Sequence, residues 1–265
     1  MRIAQISDFH IRPAGELIYG ALDTAAYLAR AVATLNALDP QPDLALLTGD
    51  LVDGGSDEEY ARLRALLAPL RAPYRVIPGN HDTRDGLRRA FAADRYLPTS
   101  GDFLHYAIED GAVRILALDS LVPGKVWGRL CRERLAWLEA KLAAAPERPT
   151  MIVVHHPPFL TGIAHMDAHA FEGAAEFAAI VRRHDQVERV IAGHVHRAMQ
   201  VRWAGTVAST CPSTAHQFAL DLRPRQPAMW TDEPPGYQIH VWLAAAGLVT
   251  HTGAIGDHSP QPLRD

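Results

Sequence analysis

Five short polar clusters in this chain each follow almost directly on a strand-like apolar run. The runs occupy positions 3–6, 44–47, 74–77, 151–154 and 189–192. The clusters after them are Asp8-Phe9-His10, Gly49-Asp50, Gly79-Asn80-His81-Asp82, His155-His156 and Gly193-His194-Val195-His196. Because the carboxyl ends of parallel strands meet at one edge of a sheet, we expect these side chains to converge there. The spacing therefore predicts an α/β fold that builds a single site from distant positions.

The first two-thirds of the chain alternates strand-like and helix-like segments, which is typical of βαβ units. Apolar periodicity predicts helices over 24–38, 57–70, 85–91, 131–143 and 170–182. A hairpin is predicted over 103–109 and 112–118, with its turn at Asp110-Gly111. Beyond position 201 the pattern changes to short β-like runs at 206–210 and 217–222. A second hairpin over 238–242 and 248–252 follows.

Composition excludes several classes of protein. The net charge of −4 argues against binding a nucleic-acid polymer, which requires a basic surface. The chain has no apolar run of membrane-spanning length, and its first residues enter a strand at once, leaving no room for a signal peptide. We therefore expect a cytoplasmic protein with no membrane partner. The two cysteines, Cys131 and Cys211, are interpreted as free thiols.

The residue types in the clusters are those of a metal site without thiolate ligands. Seven side chains qualify as ligands: Asp8, His10, Asp50, Asn80, His155, His194 and His196. This set suits Mn²⁺, Fe or Zn²⁺. Seven ligands exceed what one catalytic ion takes, so two divalent ions with a shared carboxylate fit better. Asp50 stands alone at its strand end and is the natural bridge, and a hydroxide between the ions would be the nucleophile.

In their order and spacing the five clusters resemble the calcineurin-like metallophosphoesterase superfamily, over residues 8–196. The third cluster ends in Asp82, and in this respect the chain resembles the bacterial phosphodiesterases more than the Ser/Thr protein phosphatases. The stretch Ile18-Tyr19-Gly20, the pair Asp119-Ser120 and the segment 209–214 resemble the branch of glycerophosphodiesterases and cyclic-nucleotide phosphodiesterases. The resemblance implies one domain over 1–265 with a four-layer α/β/β/α sandwich.

The resemblance also implies a role for each ligand. Asp8, His10 and His196 would bind the first ion, and Asn80, His155 and His194 the second. His81 would face the substrate phosphate without binding metal. The region 202–236 would be a small β cap or a dimerisation arm, which implies a homo-oligomer, and 238–252 would return to the core.

Charge favours a small phosphodiester as substrate. Two divalent ions, two carboxylates and one hydroxide leave a site of about +1, which a diester neutralises and a monoester does not. Arg12, Arg84 or Arg197 could reach in to offset a second negative charge. Hydrolysis of a diester expels an alkoxide, so a general acid is expected, with His81 and His216 as candidates.

Asn80, His81, Tyr19 and His216 are the candidate substrate contacts. The substrate would be a glycerophosphodiester or a 3′,5′-cyclic nucleotide. Among Tyr19, Phe9 and Phe159, a pair of rings that sandwiched a purine would favour the nucleotide. The alternatives are a phosphomonoesterase or protein phosphatase of the same superfamily, and a metal-free interaction scaffold.

Overall fold

The computed structural model describes residues 1–258 and 261–263. Its strands are β1 (Arg2–Ile6), β2 (Leu44–Leu47), β3 (Tyr74–Val76), β4 (Tyr106–Ile108), β5 (Arg114–Ala117), β6 (Thr150–Val153), β7 (Val187–Ala192), β8 (Met199–Trp203), β9 (Thr206–Thr210), β10 (Gln217–Phe218), β11 (Trp230–Thr231), β12 (Gly236–Leu243) and β13 (Gly247–Ala254). Its α-helices are α1 (Thr24–Ala37), α2 (Asp57–Leu67), α3 (Arg84–Ala90), α4 (Arg132–Ala143) and α5 (Ala174–Val181), and a 3₁₀ turn covers Ala92–Asp94.

The first sheet has the strand order β13-β12-β1-β2-β3. Its strands β1, β2 and β3 are parallel, and Ile3 lies opposite Leu44 in the register of the first pair. All four residues of β2 are buried, as expected for a parallel strand covered on both faces. The predicted C-terminal hairpin is present as β12 and β13, and β12 pairs antiparallel with β1.

The second sheet has the strand order β4-β5-β6-β7-β9-β8. Strands β5, β6, β7 and β9 are parallel, while β4 and β8 run antiparallel to their neighbours at the two edges. The hairpin predicted around Asp110-Gly111 is confirmed as β4 and β5. A third, two-stranded sheet of β10 and β11 lies within the region 202–236.

Helices cover the outer face of each large sheet, which confirms the four-layer α/β/β/α arrangement. Leu28 of α1 and Leu63 of α2 belong to a core that also contains Met151 and Ile191 of the second sheet, so this core includes the contact between the sheets. Leu138 of α4 packs in a separate core with α5 and the second sheet.

A buried polar network also joins the two sheets. The side-chain amide of Gln5 donates to the carbonyl of Ala192 at 2.9 Å and to Thr48 Oγ1 at 3.0 Å. With its nitrogen used in this way, Gln5 presents Oε1 to His240 Nε2, 3.1 Å away. His240 Nδ1 then accepts from the Thr250 hydroxyl at 2.8 Å. This places the neutral His240 in the Nε2–H tautomer, since each buried group must find a partner.

The main departure from the predicted elements lies before α5. The predicted helix over 170–182 begins only at Ala174, because the preceding residues are extended. The backbone NH of Glu172 donates to the Gly128 carbonyl at 2.9 Å, and the NH of Leu130 donates to the Glu172 carbonyl at 2.8 Å. The predicted strand over 217–222 is also shorter, ending at Phe218. No helix within the described residues is long and apolar enough to cross a bilayer.

Candidate active site

The polar clusters meet where the two large sheets face each other. Asp8, Asp50 and Asn80 follow β1, β2 and β3, while His155 and His194 follow β6 and β7. The Asp8 carboxylate accepts from the His194 backbone NH, at 3.0 and 3.1 Å for its two oxygens, and so links the end of β1 to that of β7. The predicted convergence is therefore present, but it joins strand ends from two sheets that face each other, not one edge of a single sheet.

Sharp turns aim these side chains inward. Five of them have left-handed backbone conformations: φ is 58° at Asp8, 47° at His10, 49° at Asp50, 69° at His194 and 52° at His196. Such values are uncommon outside glycine and carry strain of about 1–3 kcal/mol each. Strain of this kind concentrates at functional sites, where the surrounding structure holds it in place.

Two glycines allow the clusters to approach one another. A Cβ on Gly193 would lie 2.1 Å from Ser7 Oγ and 2.8 Å from Asp8 Oδ2. A Cβ on Gly79 would lie 2.2 Å from both the backbone nitrogen and Oδ1 of Asp50. Any side chain at these positions would push the carboxylates out of place. The glycines in the third and fifth clusters are therefore required by packing against the site.

One group of ligand-type side chains consists of Asp8, His10 and His196, all buried. His196 Nε2 lies 3.5 Å from Asp8 Oδ1 and 3.2 Å from His10 Nε2. The opposite ring nitrogen of His196 donates to the His216 carbonyl at 3.0 Å, and that of His10 lies 3.4 Å from Asp53 Oδ1. These outer contacts orient both rings with Nε2 toward the centre.

A second group surrounds Asp50. Its Oδ2 lies 3.3 Å from His155 Nε2 and 3.8 Å from His10 Nε2, so this carboxylate is within reach of both groups. His155 Nε2 is also 3.3 Å from Asn80 Oδ1, and its Nδ1 donates to the Thr48 carbonyl at 2.7 Å. The ring of His194 lies 5.3 Å from that of His155. The structure thus brings all seven predicted ligands together.

Burial and mutual charge shift the ionisation of this cluster. Burial raises the pKa of Asp8 to about 6. Burial would also raise the pKa of Asp50, but His155, His10 and His81 together outweigh burial and hold that pKa well below the usual value. Burial alone would lower the pKa of His155, whereas Asp50 and Asp8 raise it to about 9. Burial lowers the pKa of His194 to about 3. Such paired shifts are typical of functional sites.

His81 lies beside the cluster and remains partly exposed. Its Nδ1 donates to the Asp53 carbonyl at 2.8 Å, and its ring contacts that of His10 edge to face at 4.6 Å. The His81 backbone NH donates to Asp50 Oδ1 at 2.9 Å, which ties the third cluster to the second. The remaining ring nitrogen, Nε2, is available to a ligand.

His216 and Tyr19, two of the predicted substrate contacts, also lie beside the ligand cluster. The His216 ring lies 4.6 Å from that of His196 and 5.3 Å from that of Tyr19. Neither ring nitrogen of His216 has a hydrogen-bond partner, although the side chain is buried. Burial, aided by His10, lowers the pKa of His216 to about 3. Tyr19 is exposed and stacks on Trp230 at 6.0 Å.

The sequence does not decide the roles of three neighbouring residues, His156, Asp53 and Asp82. His156 groups with His155 and His194, with Nδ1 on the Ser120 hydroxyl at 2.8 Å and Nε2 unpartnered. Asp53 contacts His10 and His81, as a residue that orients ligands would. Asp82 instead braces backbone, since its carboxylate accepts from the NH groups of Leu51 and Gly79. No periodicity in the sequence distinguishes these roles.

The cluster opens into a cavity of about 490 Å³. Candidate ligands and His81 form part of its lining, and apolar residues from 126–128 and 157–174 form much of the rest. Phe159 lies in this lining, whereas Phe9 is fully buried in the core between the sheets. The idea that Phe9 might contact a purine is therefore wrong, because its ring is fully buried among apolar side chains and does not line the cavity.

A cluster of carboxylates and imidazoles that could hold metal ions, between the two sheets of an α/β/β/α sandwich, is typical of a metal-dependent phosphoesterase. The family model described as calcineurin-like phosphoesterase matches residues 1–198. The chain belongs to this family.

Relatives extend the match over the whole chain. The probable glycerophosphodiester phosphodiesterase GpdQ of Arcobacter nitrofigilis is 39% identical, covering 99% of this chain and 97% of its own. The 3′,5′-cyclic adenosine monophosphate phosphodiesterase CpdA of Escherichia coli K12 is 31% identical, covering 99% and 92%. The solved structure of a dimetal phosphatase from Danio rerio is 17% identical with a TM-score of 0.65, covering 96% and 99%, and supports the fold alone.

Proposed function

We propose that this protein is a metal-dependent phosphodiesterase that hydrolyses small phosphodiesters with two divalent ions. In this proposal Asp8, His10 and His196 hold the first ion, and Asp50 is shared. The second ion takes Asn80, His155 and His194. Bound ions would supply Lewis-acid charge for the phosphoryl oxygens and a water-derived nucleophile at neutral pH.

The arrangement of ring nitrogens fits a bound cation. His196 donates through Nδ1 to a carbonyl, and His10 directs Nδ1 at the Asp53 carboxylate. When both rings are neutral, each Nε2 carries a lone pair, and the two face each other at 3.2 Å. Two opposed lone pairs repel unless a cation lies beside both. The absence of thiolates from this group keeps Mn²⁺, Fe and Zn²⁺ as the candidate metals.

The pairing of three arginines is the observation that carries the choice of a diester. Arg12 pairs with Glu16 at 3.1 Å, and Arg84 makes a bidentate pair with Asp119 at 2.6 and 2.9 Å. Arg197 pairs with Glu233 at 2.9 Å. None of these guanidiniums is free to offset a second phosphate charge. A singly charged diester therefore suits the site better than a dianionic monoester.

The surroundings of His81 and His216 favour different roles for these two candidate general acids. His81 directs Nε2 away from its carbonyl partner, so its imidazolium form could protonate a leaving alkoxide there. His216, with a pKa lowered to about 3, is neutral near pH 7 and is better suited to donate an N–H hydrogen bond. We assign proton donation to His81, and contacts to the substrate to Asn80, Tyr19 and His216.

The names of the relatives indicate two substrate classes, glycerophosphodiesters and 3′,5′-cyclic nucleotides. Both are small monoanionic diesters, as the charge of the site favours. The region 202–236 remains our candidate for a cap or dimerisation arm, in a homo-oligomer of one-domain chains. Its exposed Met229 and the neighbouring Trp230 are consistent with a covered surface.

Paired initial rates on bis(p-nitrophenyl) phosphate and p-nitrophenyl phosphate would test the proposal. We expect turnover with Mn²⁺-loaded protein, a preference for the diester, and loss of turnover in EDTA. Preference for the monoester would instead support a phosphomonoesterase. Absence of turnover, together with absence of bound metal, would support the scaffold.

A further inference from the structure

The apolar part of the active-site cavity comes from two connections that are distant in sequence. Val126 and Trp127 lie between β5 and α4, while Phe159, Met166 and Phe171 lie between β6 and α5. We call these five residues the apolar wall. They line the same cavity as the candidate metal ligands, so a substrate held at the metals would lie against them.

Backbone contacts fix the apolar wall beside the second group of ligands. A Cβ on Gly128 would lie 2.6 Å from the His156 side chain, so this segment rests directly on that ring. Glu172 joins the two connections, since its backbone NH bonds to Gly128 and its carboxylate accepts from Trp127 Nε1 at 2.9 Å. These contacts between the two connections therefore hold the apolar wall in place.

The charges around the wall select an uncharged group. Of the described residues that line the cavity, Arg12 is the one Lys or Arg, and it is paired with Glu16 and Asp53. An additional anionic group on the substrate would find no free cation among these lining residues. The five side chains of the apolar wall are themselves uncharged, so a charged group placed against them would lose hydration without gaining an opposite charge from the wall.

We propose that the apolar wall binds one organic arm of the diester, and that it selects an uncharged alkyl or aryl alcohol. The inference rests on the proposed function for the placement of the phosphate. An acyclic diester has two arms, and His216 and Phe218 line the same cavity beside His196, each with its ring 4.6 Å from that of His196. The wall thus makes hydrophobic diesters better ligands than diesters whose alcohols are small or charged.

Symmetric dialkyl phosphates have two identical arms, so they test this inference whichever arm lies against the apolar wall. Binding of dimethyl and dibutyl phosphate to Mn²⁺-loaded protein would be measured by calorimetry. Each additional buried methylene strengthens binding about fourfold. Three more methylenes in one arm should therefore give dibutyl phosphate a roughly tenfold to sixtyfold lower Kd.

Charged substitutions in the wall should remove this preference. Met166→Asp and Val126→Asp should reduce the Kd ratio to about threefold or less, since a carboxylate in the wall disfavours an alkyl arm. Val126 is 53% exposed, so the second variant places its charge where water already reaches. Leu243→Asp, on β12 outside the cavity, is the matched control and should keep the wild-type ratio.

The outcomes separate the two proposals. A Kd ratio near one in the wild type, or an unchanged ratio in both wall variants, would overturn the role of the apolar wall even if bis(p-nitrophenyl) phosphate is hydrolysed. Loss of metal-dependent hydrolysis with the ratio intact would instead reject the phosphodiesterase function and leave the wall as a binding surface.

Discussion

Replacing Asp50 with asparagine tests the shared carboxylate directly. The substitution keeps an oxygen for the His81 backbone NH, which lies 2.9 Å from Oδ1, so the loop should retain its shape. It removes the negative charge that lies 3.3 Å from His155 Nε2 and 3.8 Å from His10 Nε2. The second ion would then have only neutral ligands.

The size of the effect follows from this loss of charge. A unit charge attracts a divalent ion at about 2.5 Å by roughly 13 kcal/mol at an effective dielectric constant of about 20. Desolvation offsets most of that attraction, and we expect a net loss of about 3–4 kcal/mol. This corresponds to roughly 10²–10³-fold weaker binding of the second ion. Turnover should fall by about 10³-fold or more, because in the proposed function both ions would supply charge to the same phosphoryl group.

Metal analysis and steady-state rates on bis(p-nitrophenyl) phosphate measure both effects. We expect metal content to fall from about two ions per chain toward one. Asp57→Asn, an exposed change with the same loss of charge, is the control. An Asp50→Asn protein with two ions and near-wild-type turnover would refute the shared carboxylate.

Three further changes probe other parts of the molecule. His81→Ala should lower kcat by about 10²-fold while metal content stays normal; loss of metal would mean that His81 is a ligand. Gly193→Ala should disrupt the site, because the new Cβ would meet Ser7 Oγ at 2.1 Å, and a variant with normal metal content and melting temperature would contradict this reading. His240 is buried with a folded pKa lowered to about 3, against about 6.5 unfolded, so the unfolded state binds its proton more tightly between these values. Stability should therefore fall as pH drops from about 6.5 toward 4, and His240→Gln should flatten that slope in urea denaturation; an unchanged slope would assign the acid sensitivity to other groups.

Most of the fold could be predicted from patterns along the chain. The run at 44–47 is apolar throughout, which indicates a parallel strand buried on both faces. The helix at 57–70 was predicted from apolar spacing, and its start is fixed by Ser56, which forms a capping box with Glu59. The start of α5 was predicted too early because Glu172 is extended and bonded to Gly128, a pairing of distant segments that periodicity does not reveal.

The candidate ligands were also predicted from sequence, for a simple physical reason. A parallel sheet brings the ends of its strands to one edge, so Asp8 and Asp50 need only follow β1 and β2 to come together. His155 follows β6 of the second sheet and reaches them because the two sheets pack face to face. The polar side chains that follow strands can therefore be recognised from the sequence, and they indicate the family as well as the metal chemistry.

Other properties depend on which side chains meet across the fold. The pairing of Arg84 with Asp119, which withholds a cation from the phosphate, joins positions on different segments. The orientation of His196 is set by the His216 carbonyl, and the apolar wall requires two connections to lie side by side. Sequence alone determined the strands that precede the ligands and the types of ligand, because both follow from local patterns. Tertiary structure decided which charged side chains are paired, how the imidazole rings are oriented and what shape the cavity has. These properties depend on contacts between residues far apart in the chain.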